Sequence, residues 1–63
     1  MEIIDSVMVA FFNKDNKYVC QIGPFSAPPT AEMVKMSISD RLPKATQDEI
    51  TYYKIENHHY LIK

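Results

Sequence analysis

The side chains here that could do chemistry are few and scattered. His58 and His59 are adjacent, Cys20 is the single thiol, Ser6 is a candidate hydroxyl, and Glu2, Asp5 and Glu56 read as solvated carboxylates, not an acid/base pair. Two histidines could ligate a metal or move a proton. On a strand, however, neighbouring side chains point to opposite faces, so both cannot readily serve one ion or one reaction. A solvated turn is the plain reading of this pair. A polar or pH-sensitive interface contact is the functional one. A cysteine nucleophile needs an activating base and an electropositive setting. Cys20 alternates with Tyr18 and Ile22, which predicts a buried, inert thiol. The spacing of Asp5, Ser6 and the histidines suggests no triad. One glycine, Gly23, cannot build a phosphate-cradling loop. One cysteine and two histidines fall short of a structural zinc set. No catalytic residue, metal site or cofactor is expected, and the chain is read as a non-enzyme.

The elements that would position these groups follow from hydropathy. Residues 3–12 read as a first strand. Its two alternating tracks, Ile3, Asp5, Val7, Val9, Phe11 and Ile4, Ser6, Met8, Ala10, Phe12, are both apolar from residue 7 onward. That is the pattern of a strand covered on both faces. Asn and Asp in residues 13–17 suit a hairpin loop. Residues 17–22 form the second strand, with Tyr18, Cys20 and Ile22 on one face. Three prolines within residues 23–29 predict a stiff loop from Gly23 on. Thr30 is a suitable N-cap for a helix over residues 31–42. Glu32 and Arg41 complement the helix dipole. Ala31, Val34, Ile38 and Leu42 make its core-facing stripe, and Pro43 stops it. After a polar link, residues 44–48, comes a strand over 50–55. Glu56 and Asn57 turn the chain into a fourth strand over 59–62, or bulge one long strand. The expected fold is α+β: a small antiparallel sheet of three to four strands with one helix on one face, order β-β-α-β-β, in one domain over residues 1–63.

Bulk properties narrow the function. A chain of 63 residues buries only about 60% of its unfolded surface and is marginal alone. Cys20 cannot pair within the chain, so association is the expected extra source of stability. A reducing, cytoplasmic location fits the lone thiol. Seven Lys and Arg against eight Asp and Glu, without a basic cluster, disfavour nucleic acid. The acidic start is unlike a signal peptide, and the longest apolar run, residues 7–12, is too short to span a membrane. One helix covers one sheet face. The other is expected to carry some of Met8, Phe12, Tyr53 and Tyr60 and to meet something outside the chain. Core packing is expected of Phe11 and Tyr18. Met33 and Met36 flank the helix stripe, where they either pack or form an adaptable contact surface.

The opening stretch MEIIDSVMVAFFNKDNKYVCQI resembles the Dmd-type antitoxins of T-even phages. The pattern rests on Met1, Glu2, Ile3, Ile4, Val7, Met8, Val9, Ala10, Phe11 and Phe12, then Tyr18 and Ile22 after a polar hairpin. It covers about a third of the chain. It fades beyond Ile22, and the tryptophan that such proteins carry ahead of the helix is absent here. The resemblance implies a small phage protein that evades host defence. It would bind an RNase LS-type toxin in the host cytoplasm and block it without a covalent step. Partner contacts are expected from Glu32, Lys35, Met36 and Ser39 on the helix and from Tyr53 and Tyr60. Loss of the Tyr53 or Met36 side chain is expected to weaken binding without unfolding the domain. A homodimeric structural or regulatory protein is the alternative, paired through the spare sheet face or the strand edge near Tyr60.

Overall fold

A computed structural model describes residues 7–55 and 58–62, with the backbone alone for His58. The expected segments 3–6 and the turn at 56–57 lie outside the described residues. The order is β1 (Val7–Phe12), β2 (Tyr18–Phe25), α1 (Ala31–Arg41), α2 (Lys44–Glu49), β3 (Tyr52–Ile55) and β4 (His58–Leu61). The fold is α+β, as the hydropathy pattern predicts. Four antiparallel strands run β2-β1-β3-β4, with one main helix. The C-terminal stretch is thus two strands, not one long strand.

The β1–β2 hairpin closes through Asn13. Its Oδ1 accepts from the amides of Asp15 and Lys17 at 2.9 and 3.0 Å. Asn16 takes the left-handed φ of 62° that asparagine tolerates. Strand β2 then runs further than its prolines suggest, to Phe25. Two features permit this. β2 is an edge strand, so Pro24 is not needed as a ladder donor on its outer side. The register also shifts: Val9 faces Ile22 while Val7 faces Phe25, so Gly23 and Pro24 bulge opposite Met8. The Gly23–Pro24 bond is cis, and Gly23 has φ 147°. A Cβ there would stand 2.7 Å from the Met8 sulfur and 3.0 Å from the Val7 carbonyl oxygen.

Thr30 caps α1, its Oγ1 accepting from the Met33 amide at 3.2 Å. Val34 is buried, and Ile38 and Leu42 pack against the core. Ala31, expected on the same stripe, is exposed. The link over 44–48 is not merely polar chain. It is the short helix α2, which has no buried residue of its own. Its Lys44 and Asp48 meet at 3.5 Å in solvent, and the Gln47 side-chain Nε2 donates to the Leu42 carbonyl at 2.8 Å. This turn delivers Ile50 fully buried beneath the sheet. The core is Val9, Phe11, Ile22, Val34, Ile50, Tyr53 and Ile55. Among the described residues no helix is long and apolar enough to cross a membrane.

Candidate interaction surface

The period of two in a strand divides the aromatic residues between the sheet's faces. Phe11 and Tyr53 point to the helix side. Phe11 is fully buried and Tyr53 is 6% exposed. Their centroids lie 6.0 Å apart, and Tyr60 stacks on Tyr53 at 5.0 Å and 16°. Burial, then the neighbouring Tyr60 phenol, pushes the Tyr53 phenol above its ordinary range. Some of Met8, Phe12, Tyr53 and Tyr60 are expected on the face away from the helix, and Phe12 stands there, stacked with Tyr52, whereas the two tyrosines Tyr53 and Tyr60 do not. They stand on the helix side instead, because Tyr53 pairs with Phe11 and Tyr60 with Tyr53. Tyr53 is therefore a core residue.

The opposite face carries a second aromatic row that crosses all four strands. Tyr18 meets Phe12 edge-on at 6.2 Å, Phe12 stacks on Tyr52 at 5.1 Å and 12°, and Tyr52 stacks on His59 at 5.7 Å and 28°. Tyr18 was expected in the core with Cys20. It is 57% exposed. A second register shift explains this: Phe11 faces Cys20 but Phe12 faces Tyr18, so Val19 is an extra residue and Tyr18 changes face. Cys20 stays on the core side. Burial, then the Glu49 carboxylate, pushes its thiol up. The histidines are not a turn; both lie in β4.

This open face is also distinct in charge. No strand carries an Asp or Glu, and Lys54 is the strands' single charged residue among those described. The described carboxylates Glu32, Asp40, Asp48 and Glu49 lie on the helices, and Asp15 lies in the hairpin loop. A hollow of about 400 Å³ opens at one end of the row, lined by Asn16, Tyr52, His59, Tyr60 and Leu61. Leu61 is 81% exposed.

The helix residues expected to contact a partner, Glu32, Lys35, Met36 and Ser39, are all exposed. They do not form one patch with the aromatic row, since α1 lies on the other side of the sheet. Met36 joins Met33, Phe25 and Arg41 in a separate groove of about 290 Å³. Lys35 borders a third, of about 460 Å³, between α1 and β4. Among the described residues no three His, Cys, Asp or Glu gather to hold a metal ion. The aromatic row exists only across strands, so no single stretch of the sequence displays it. The hairpin itself held the one available signal: its loop brings Tyr18 opposite Phe12. No family model, curated protein or solved structure matches the chain.

Proposed function

We propose that this protein is a stoichiometric inhibitor that docks on another protein through its open sheet face and performs no catalysis itself. The observation that carries the reading is the row Tyr18, Phe12, Tyr52 and His59, which no helix among the described residues covers. Aromatic residues with polar tips suit a partly buried protein interface. The ring geometry favours protein over single-stranded nucleic acid. Bases stack on exposed ring faces. Here Phe12 and Tyr52 overlap face to face at 5.1 Å, so each already covers part of the other. Ring edges and hydroxyl groups are what remain for a partner.

The resemblance of the first 22 residues to Dmd-type antitoxins supplies the target class, an RNase LS-type toxin in the cytoplasm of a host cell. The phage origin and the non-enzymatic role belong to the same reading. The test is a pull-down of the C-terminally tagged chain from a coliform host that carries such a toxin, followed by an RNA-cleavage assay. Stoichiometric recovery of the toxin, inhibition of cleavage, and loss of both in Tyr52→Ala are expected. Recovery of a different enzyme would retain the inhibitor and discard this target. Failure to hold any protein on the open face would defeat the reading.

A further inference from the structure

We propose that β4 pairs edge to edge with β4 of a second copy, antiparallel, about a twofold axis at Tyr60. The backbone points to it first. The Ile62 amide donates to the Thr51 carbonyl at 2.9 Å. Side alternation along β4 then turns residues 58, 60 and 62 toward β3 and leaves the N–H and C=O of His59 and Leu61 directed outward. A twofold axis beside Tyr60 sets His59 opposite Leu61 of the second copy, and Leu61 opposite its His59. Both pairs close with two hydrogen bonds each, and these outward groups are satisfied.

The side chains complement themselves in the same register. β4 has the sequence HHYL, with no carboxylate, lysine or arginine, so two copies approach without opposed like charges. Both aromatic rows stop at this edge. Across the axis the helix-side row continues from Phe11, Tyr53 and Tyr60 into the second copy's Tyr60. Tyr60 would sit at the close, non-hydrogen-bonded position, where cross-strand side chains interact most. The groove between α1 and β4 borders that position on one face, and the hollow beside Leu61 borders the edge on the other. Each receives side chains of the alternation that β4 itself presents. The edge contact is small against the ~800 Å² per partner of a standard interface, so association is sought up to millimolar concentration. The axis is normal to the sheet, so both open faces stay accessible. The proposal is therefore independent of the inhibitor reading.

Sedimentation equilibrium of the full chain, from micromolar to millimolar concentration, tests it without any partner protein. The wild type should pass from monomer to dimer and stop there. Leu61→Lys and His59→Pro, the second removing one outward amide, should each raise the dissociation constant about tenfold or more. Unchanged circular-dichroism melts would show that the fold is kept. Should His59→Pro melt early, Leu61→Lys decides, because that side chain is 81% exposed. Photo-oxidative coupling of the wild-type dimer should join Tyr60 to Tyr60. A wild type that stays monomeric at millimolar concentration overturns the proposal. So does a dimer untouched by Leu61→Lys, or coupling confined to Tyr18 at the opposite edge.

Discussion

The two faces of the sheet use the same residue types for opposite ends. Phe11 and Phe12 are neighbours in sequence, as are Tyr52 and Tyr53. Phe11 and Tyr53 are sealed under α1 and the approach to β3. Phe12 and Tyr52 stack on one another on the open side. Composition cannot separate the members of either pair. One step along a strand does, because successive side chains leave opposite faces. The lesson is that stability and recognition are one residue apart here, so single substitutions can address them separately.

The largest effect should come from the covered face. Phe11→Ala should cost about 3–5 kcal/mol, enough to unfold a domain this small at room temperature. Thermal melts followed by circular dichroism check it. Tyr53→Ala should act in the same way, contrary to the expectation that this ring serves only a partner. Phe12→Ala and Tyr52→Ala should keep the fold and weaken partner binding about 30-fold or more, the loss of roughly 2 kcal/mol at a central aromatic. Equal melting losses at Phe11 and Phe12 would break the comparison.

Backbone positions should rank below the core. Gly23→Ala would force a side chain into a positive φ and against the Met8 sulfur, for a cost of about 1–3 kcal/mol in denaturant titration. Thr30→Ala removes the α1 cap and should cost about 1 kcal/mol. The smallest effect should be a pH dependence. The Tyr53 phenol and Cys20 thiol are both raised in the folded state from ordinary values of 10.0 and 9.0. Their neutral forms are therefore favoured by folding. The contribution is fully present well below pH 9.0, where both groups are neutral in either state, and is lost as pH rises past 9.0 through the folded values. Melts in alkaline buffer should show this loss, and Tyr53→Phe should reduce it.

Much of the fold was legible in the residues. Asn13 and Asn16 announced the hairpin, Thr30 the start of α1, and Pro43 its end. The places that misled share a cause. Pro24 ends a central strand but not an edge strand, and edge position is decided by the whole sheet. The short helix KATQDE has no apolar stripe, so it has no period to detect. The faces of Tyr52 and Tyr53 were undecidable while both alternating tracks were aromatic, and only pairing with β1 assigned them. Tyr18 moved to the open face because of a single extra residue, Val19. Of the six expected contact residues, those on α1 are exposed as anticipated. Tyr53 was misplaced because burial of a tyrosine depends on what lies across the ladder.

Strand β1 is central, yet its two neighbours come from distant parts of the chain. β2 follows it after a five-residue loop, whereas Tyr52, the partner of Phe12, lies 40 positions further on. Joining β1 to β3 therefore closes a loop of about 40 residues, against five for the hairpin, and costs more chain entropy. One side of the central strand is held by a local contact and the other by a non-local one, and the non-local side sets the slower part of assembling the sheet.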